Sequence, residues 1–156
     1  TKVKQKEELL SAIEMAFRES HEVLIETFMK GREVACGILE NKKKIIVFPV
    51  TEIISKNEFF DYEAKYTPGK SDEVTPADMP VSVTNEIQKL SLQIFDLLDC
   101  SGMVRVDFIV IDNKPFFLEI NTVPGMTKES IVPKLAIAAG MSLEELYSVV
   151  IENMFE

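Results

Sequence analysis

The sequence has little of the material from which triads, metal clusters and disulfide frameworks are built. Its 156 residues include no tryptophan, one histidine and two cysteines. The single histidine, His21, leaves catalytic triads and histidine-rich metal sites without the residues they need. Cys36 and Cys100 lie far apart in apolar runs, which suits neither a disulfide framework nor a ligand cluster. We expect both to be buried, reduced thiols of a cytoplasmic protein.

The chain is also poor in positive charge and in long hydrophobic runs. It has 17 Lys and Arg against 26 Asp and Glu, so its formal net charge is −9. The electrostatic field of a protein with this negative charge repels phosphate backbones and anionic lipid surfaces. No apolar run approaches the roughly 20 residues that span a bilayer, and residues 1–8 are polar and lysine-rich, unlike a signal peptide. We therefore expect no nucleic-acid partner and no membrane segment.

The hydrophobic pattern changes along the chain between the periods of helices and strands. Hairpin-linked strands are followed by helices without a regular βαβ order, which predicts an α+β fold with helices packed on one face of a mainly antiparallel sheet. The first three strands are expected to pair in chain order. Residues 55–80 have no period, and a loop of that length is usually a functional lid or disordered. The expected helices cover residues 6–19, 83–98, 130–139 and 142–154, and the expected strands cover residues 23–28, 33–39, 45–54, 103–111 and 116–120.

The last two strands carry the most informative polar residues. Side chains alternate along a strand, so Arg105 and Asp107 share one face of the first. Glu119 and Asn121 share one face of the second. If the apolar faces meet the same core, the four side chains cluster, and paired carboxylates need a counter-charge such as Mg²⁺, which prefers oxygen ligands. The alternative is a solvated sheet face on which Arg105 itself pairs with an acid.

The same alternation of side chains predicts a register for this hairpin. Without a bulge, all four side chains share a face only if the loop has an odd number of residues. A loop centred on Asn113 meets this condition, and it places Asp107 opposite Glu119 and Arg105 opposite Asn121. The apolar residues of the second strand are then expected to face the core: Phe116, Leu118 and Ile120.

A rigid turn follows this hairpin. Pro124-Gly125 leads into the helix that is expected to begin at Ser130. Backbone N–H groups and the helix dipole offer binding to an anion there, so a carboxylate or an oxyanion is the candidate ligand. The alternative is an ordinary tight turn, with Ser130 only as a helix cap.

Two further segments carry candidates for nucleotide binding. Residues 59–66 mix aromatic rings with charge, and Lys65 could reach a phosphate if this loop closes over a ligand. Alternatively, the rings only cover the sheet edge. Upstream, Glu26 and Glu33 flank Lys30-Gly31 and could accept hydrogen bonds from adenine and ribose. Acidic residues beside turns are common, so an ordinary surface position is the alternative for both.

Taken in order, these segments resemble the C-terminal part of D-alanine–D-alanine ligases, which are ATP-grasp enzymes. The resemblance covers essentially the whole chain, and its second and fourth blocks are the most specific. Phe60 stands where a tyrosine is often found, and Ile131 stands where a leucine is; both departures are mild. The four blocks are ETFMKGRE (26–33), FDYEAKY (60–66), GMVRVD (102–107) and EINTVPGMTKES (119–130).

The resemblance implies an ATP-dependent ligation for peptidoglycan synthesis. One D-alanine is phosphorylated on its carboxylate, and the amine of a second D-alanine attacks the acyl phosphate. ATP and two Mg²⁺ ions, or Mn²⁺, are the implied cofactors, and the full-length enzyme is implied to be a homodimer. The resemblance implies that Asp107, Glu119 and Asn121 bind the metal ions, and that Arg105 and the Gly125 N–H stabilise the oxyanion. It implies that Ser130 binds the carboxylate of the acceptor and that Tyr66 selects an amine acceptor. It also implies that Glu26 and Glu33 contact adenine and ribose and that Lys65 contacts the γ-phosphate.

The resemblance also implies a domain organisation. Residues 1–22 would end a central subdomain, and residues 23–156 would form the C-terminal subdomain. The family's N-terminal domain, glycine-rich phosphate loop and two ATP-contacting lysines are expected before Thr1, so we expect this chain to be inactive alone. Three alternatives stay open: another ATP-grasp ligase, a D-alanine–D-lactate ligase, and a non-catalytic nucleotide-binding module.

Overall fold

The computed structural model describes residues 1–42, 44–55 and 71–155. Within these residues the chain divides into two compact units, Thr1–Lys30 and Gly31–Glu156.

The first unit contains one short helix. A 3₁₀ turn at Lys6–Glu8 leads directly into helix α1, Leu9–Ala16, which confirms the expected helix with a shorter C-terminal end. Residues 22–30 form neither helix nor strand. In this unit, Nζ of Lys2 lies 3.7 Å from the centroid of the Phe28 ring, as in a cation–π contact.

The second unit is built on a five-stranded antiparallel sheet. Its strands are β1 (Arg32–Asn41), β2 (Lys44–Ser55), β3 (Ser71–Val74), β4 (Met103–Ile111) and β5 (Lys114–Asn121). They lie in the order β3-β2-β1-β4-β5, and every neighbouring pair is antiparallel. The central strand is therefore β1, which pairs with β2 on one side and with β4 on the other.

Three helices among the described residues complete this unit. They are α2 (Val81–Leu97), α3 (Ile131–Ala138) and α4 (Leu143–Glu152), with a final 3₁₀ turn at Asn153–Phe155. The expected capping box of α4 is confirmed. The Glu145 N–H donates to Oγ of Ser142 over 3.1 Å, and the Ser142 N–H donates to Oε2 of Glu145 over 2.7 Å. Hydrogen bonds to the Glu145 carboxylate, first from the Ser142 backbone N–H and then from the Ser142 side chain, hold the pKa of Glu145 below its usual value.

The sheet is covered on both faces by separate core layers. Alternate residues of the central strand β1 point to opposite sides, so each layer takes part of the same strand. The first core layer packs α2 on the sheet through Val34, Cys36, Ile38, Val50, Ile87, Phe95, Val106 and Phe108, among others. The second core layer packs α3 and α4 on the other face through Ala35, Leu39, Phe48, Ile53, Met103, Val132, Leu135 and Leu146, among others.

The α+β class and the antiparallel sheet are confirmed, with one correction to the expected packing. The helices cover both faces of the sheet rather than one. The sequence carries a signal for this: residues 34–39 form a continuous run without charged or strongly polar side chains, and all six are buried. Such a run is typical of a strand that is buried on both faces.

Two expected features of the strand pattern are corrected by the structure. The expected strand at residues 23–28 is not formed. Both edges of β1 are hydrogen-bonded, to β2 and to β4, so a preceding strand has no place beside it. Conversely, β3 lies within the segment that was expected to be a loop. Its sequence, Ser-Asp-Glu-Val, has no apolar period, and it is a strand because it pairs with the edge of β2.

Both cysteines are free, as expected. Cys36 is buried in the first core layer, and burial raises the pKa of its thiol to about 12. Cys100 is only half-buried, so the expected burial is confirmed for Cys36 and corrected for Cys100. Among the residues that the structure describes, no helix is both long enough and apolar enough to cross a lipid bilayer.

We expect Gly37→Ala to destabilise the fold, because side chains of β2 and α3 both pack closely against this position of β1. A Cβ at this position would lie 2.8 Å from Cδ2 of Phe48 and 3.2 Å from Cδ1 of Leu135. Overpacking of this kind costs about 1–3 kcal/mol, which urea denaturation measures directly. The double variant Gly37→Ala/Phe48→Leu should lose less than the sum of the two single variants, since the smaller side chain makes room. Additive losses would contradict the close contact.

Candidate functional site

The β4–β5 hairpin has a two-residue loop rather than the expected odd one. Asp112 and Asn113 both have positive φ, 50° and 61°. Ile111 pairs with Lys114 directly across them. Two left-handed residues are typical of a type I′ turn, whose twist suits the flanking strands. The asparagine and the aspartate tolerate this conformation better than most side chains.

A bulge in β5 changes the register next to the polar residues. Phe108 pairs with Phe117, but the next pair toward the site is Asp107 with Glu119. Leu118 is therefore an extra residue in β5. Because side chains alternate with a period of two, one extra residue moves every residue beyond it to the opposite face.

The bulge produces the two pairs that the sequence predicts. Asp107 lies opposite Glu119, and Arg105 lies opposite Asn121. This prediction is confirmed, although the reasoning behind it assumed an unbulged hairpin. With a two-residue loop and no bulge, Glu119 and Asn121 would lie on the opposite face of the sheet from Asp107.

Before the bulge, the aromatic residues of β5 are arranged differently from the expected pattern. Phe117 pairs with Phe108 and therefore shares its face, the one covered by α2. Their rings meet edge to face, with centroids 6.2 Å apart and an interplanar angle of 75°. Phe116, which was expected to face that core, pairs with Ile109 on the opposite side. The two-residue loop causes this correction.

Arg105 and Asp107 form a bidentate ion pair on the face that also carries α3 and α4. Nε of Arg105 donates to Oδ1 of Asp107, and Nη2 donates to Oδ2, each over 2.8 Å. Only 12% of the arginine side chain and 4% of the aspartate side chain are exposed. Burial opposes the charge of Arg105, but the hydrogen bonds to Asp107 and the attraction of Asp107, Glu119 and Glu33 outweigh it. The pKa of Arg105 is therefore raised above its usual value.

Asn121 connects the buried acid to the exposed one. Its Nδ2 donates to Oδ2 of Asp107 over 3.1 Å and to Oε1 of Glu119 over 3.2 Å. Asp107 is 3% exposed, whereas Glu119 lies at the exposed edge strand. Rotation of the amide by 180° would present its oxygen in place of the nitrogen. The three side chains thus offer a set of oxygen donors at one point of the sheet.

This donor set fits a hard divalent cation. Two carboxylates and one guanidinium leave the cluster with a net negative charge. Mg²⁺ is usually held by one or two carboxylates and keeps further positions for water and phosphate oxygens. No group of three His, Cys, Asp or Glu side chains suited to a metal exists within the described ranges. Asp107, Glu119 and Asn121 together carry two carboxylates and one amide oxygen, which is the kind of oxygen-donor set that Mg²⁺ prefers.

Glu33 lies on the same face as this cluster. It pairs with Ile109, and two residues further along β1, Ala35 pairs with Asp107. Residues two apart on a strand share a face. The contribution of Glu33 to the raised pKa of Arg105 agrees with this placement. Glu26 belongs to the other unit, where it is exposed.

The Pro124-Gly125 turn packs against Ser130. Pro124 is buried and Gly125 is exposed. A Cβ on Gly125 would lie 2.8 Å from Oγ of Ser130, so a larger residue at position 125 would displace the Ser130 hydroxyl. Ser130 precedes α3 as its N-cap residue but makes no capping hydrogen bond with its side chain. Instead its Oγ lies 2.9 Å from Oγ1 of Thr127, so the interpretation of Ser130 as only a side-chain cap is not supported.

Sequence reasoning missed one contact of this turn and one contact of helix α3, which follows it. The hydroxyl of Tyr147, on α4, donates to the carbonyl of Met126 over 2.8 Å. Nζ of Lys134, on α3, lies 2.9 Å from Oε2 of Glu73 on β3. Both contacts join elements that are far apart in the chain, so no local pattern indicates them. Only the contact between Thr127 and Ser130 had a local signal in the sequence, because these two hydroxyl-bearing residues are three positions apart.

Lys65 and Tyr66 lie outside the residues that the structure describes. The predictions made for them stay predictions.

Asp107→Asn should destabilise the protein much more than Glu119→Gln. Removing the charge of Asp107 leaves Arg105 in a largely buried position without its bidentate partner. Breaking a buried ion pair on one side typically costs about 3–5 kcal/mol. The glutamine at position 119 still accepts the hydrogen bond from Asn121 and remains exposed, so its effect should stay within about 0.5 kcal/mol. Urea denaturation of both variants tests this, and equal losses would show that the pair does not act as a buried unit.

Comparison with known proteins places the chain in a family. Residues 1–152 match the family model described as D-ala D-ala ligase C-terminus. The D-alanine–D-alanine ligase of Phocaeicola vulgatus is 49% identical over 156 residues, which cover 99% of this chain and 48% of that protein. The D-alanine–D-alanine ligase of Flavobacterium johnsoniae is 47% identical over 152 residues, covering 97% and 47%. The chain spans about half the length of the curated relatives it matches.

Solved structures give the same result. The D-alanine–D-alanine ligase of Bacillus anthracis complexed with ATP has a TM-score of 0.81 and 35% identity, covering 97% of this chain and 47% of that one. VanG D-Ala:D-Ser ligase of Enterococcus faecalis has a TM-score of 0.83 and 35% identity, covering 96% and 43%. From the matched family model and these relatives, we conclude that this chain belongs to the D-alanine–D-alanine ligase C-terminus family.

Proposed function

We propose that this chain forms the C-terminal half of an ATP-dependent D-alanine–D-alanine ligase. The observation that carries the proposal is the single polar cluster of Arg105, Asp107, Glu119 and Asn121 on one face of the sheet. A bulge, a buried ion pair and a bridging amide all serve to bring these side chains together. The family membership supplies the reaction type. The product is the dipeptide used in peptidoglycan synthesis.

We propose that Asp107, Glu119 and Asn121 hold two Mg²⁺ ions, or Mn²⁺ in their place. When bound, the metal neutralises the charge of the nucleotide phosphates during transfer. Asp107 is positioned for this by β4, and Glu119 by the bulge in β5. The positive charge of Arg105 compensates the carboxylate of Asp107, so the cluster does not carry two uncompensated negative charges.

The proposed reaction has two steps. An oxygen of the first D-alanine carboxylate attacks the γ-phosphorus of ATP, and ADP leaves. The amine of the second D-alanine then attacks the acyl carbon, the tetrahedral centre loses inorganic phosphate, and the amine proton passes to solvent. Arg105 and the N–H of Gly125 stabilise the oxyanion of that tetrahedral centre. Gly125 suits this role because it is exposed.

Ser130 is the proposed ligand of the acceptor carboxylate. Its hydroxyl is held by Thr127 and packed against Gly125, which places it next to the proposed oxyanion site. D-Serine is a second candidate acceptor, because VanG D-Ala:D-Ser ligase matches the fold as well as the D-alanine–D-alanine ligases do. Acceptor choice is therefore tested with D-alanine, D-serine and D-lactate in parallel. We propose that D-alanine is preferred.

The remaining roles are proposed from the family resemblance. Glu26 contacts adenine, Glu33 contacts ribose, Lys65 contacts the γ-phosphate, and Tyr66 favours an amine acceptor. Glu33 is suitably placed on the face of the polar cluster. We further propose that residues 1–22 end a central subdomain, that residues 23–156 form the C-terminal one, and that the full-length enzyme is a cytoplasmic homodimer.

The test is the effect of Glu119→Gln on the full-length enzyme. Loss of one metal-binding carboxylate should lower kcat for dipeptide formation by about 100-fold or more, while the fold is retained. The reaction is followed by phosphate release and by chromatography of the dipeptide, with Mg²⁺ varied. Glu144→Gln is the matched control, because it makes the same chemical change at an exposed position on α4. An unchanged kcat for Glu119→Gln would contradict the proposed metal site.

Lys65→Ala should lower kcat strongly without changing stability. If the lysine acts on the phosphate charge, its loss removes transition-state stabilisation and leaves the free energy of unfolding within about 0.5 kcal/mol. Initial rates and thermal melts of the full-length enzyme measure the two effects. Lys89→Ala, on the exposed side of α2, is the control. A Lys65→Ala variant with the parent kcat would show that residues 59–66 make no catalytic contact through this lysine.

A further inference from the structure

We propose that Tyr147 is a positioning residue for the acceptor site and acts through the turn that joins β5 to α3. The inference rests on the proposed ligase activity, and in particular on Ser130 as the ligand of the acceptor carboxylate. Tyr147 itself lies on α4, outside the segment that carries the site.

Tyr147 fixes one peptide group of the turn. Its ring packs against the second core layer, and its hydroxyl donates to the carbonyl of Met126 over 2.8 Å. The side chain of Met126 packs against the same layer. A tyrosine has only two side-chain torsions, so a half-buried ring presents its hydroxyl at a well-defined point. The Met126 carbonyl is therefore held by a helix that is separate from the site.

This constraint passes to Ser130 through Thr127. The carbonyl of Met126 and the N–H of Thr127 belong to one planar peptide group, so fixing the first orients the second. Thr127 then holds Ser130 twice. Its carbonyl accepts a hydrogen bond from the Ser130 N–H over 2.8 Å, and its hydroxyl lies 2.9 Å from Oγ of Ser130.

The other end of the turn has its own anchor. Pro124, next to Gly125, is buried, and its ring fixes the backbone there. Loss of the Tyr147 hydroxyl should therefore disturb the Ser130 end more than the Gly125 end. The expected kinetic result is weaker binding of the acceptor, with little change in the rate at saturation.

The experiment compares Tyr147→Phe with Ser142→Ala in the full-length enzyme. Tyr147→Phe keeps the ring and removes only the hydroxyl. Ser142→Ala removes the capping side chain of the same helix without touching the turn, so it controls for general weakening of α4. We expect Tyr147→Phe to raise the KM for the acceptor D-alanine about three- to tenfold, as for loss of one hydrogen bond, with kcat and the KM for ATP within about twofold. Ser142→Ala should lower Tm and leave the acceptor KM unchanged.

A second readout does not depend on activity. The backbone amide resonance of Ser130 should shift in Tyr147→Phe and stay in place in Ser142→Ala. Any of three results would overturn the positioning role of Tyr147. They are an unshifted Ser130 resonance in Tyr147→Phe, an unchanged acceptor KM in the same variant, and an equal rise of the acceptor KM in Tyr147→Phe and Ser142→Ala. A parent enzyme that makes no dipeptide would instead overturn the proposed function, while the resonance still decides whether Tyr147 positions Ser130.

Discussion

A single extra residue in β5, Leu118, determines which side chains lie beside Asp107. The tight two-residue loop sets one register for the hairpin, and the bulge shifts it before the site is reached. Every side chain beyond the bulge changes face, so Glu119 joins the buried acid on β4. The same shift places Ile120 opposite Val106, on the face that α2 covers. Core packing and site assembly therefore depend on the same irregularity in one strand.

The cost of placing two carboxylates together is met by charge within the cluster. Arg105 neutralises Asp107 through two short hydrogen bonds, and Asn121 donates to both acids. The arginine keeps its charge despite burial, as its raised pKa indicates. Asp107 is thus paired within the chain, and Glu119 is exposed on the edge strand. At the proposed metal site, Arg105 and a bound cation would compete for Asp107, and the freed guanidinium would then be available to an anionic substrate group.

Local patterns predicted the elements and the polar pairs well, and they failed where distant parts of the chain decide the outcome. The sequence shows the alternation of polar and apolar residues around Asp107 and Glu119, because side chains alternate along a strand with a period of two. The bulge, the strand β3 and the second helical layer depend on pairing and packing that no short window contains. The continuous apolar run at residues 34–39 was the exception, since it did indicate burial on both faces. Tyr147 could not be found, because its partner lies 21 residues away in a turn.

The most direct test of the account is a crystal structure of the full-length enzyme with ADP and Mn²⁺, whose anomalous signal locates the ion. The account predicts an anomalous peak bound by the carboxylates of Asp107 and Glu119, with at least one oxygen of Asp107 released by Arg105. A peak elsewhere, with Arg105 still bidentate on Asp107, would contradict the claim that this cluster is the metal site.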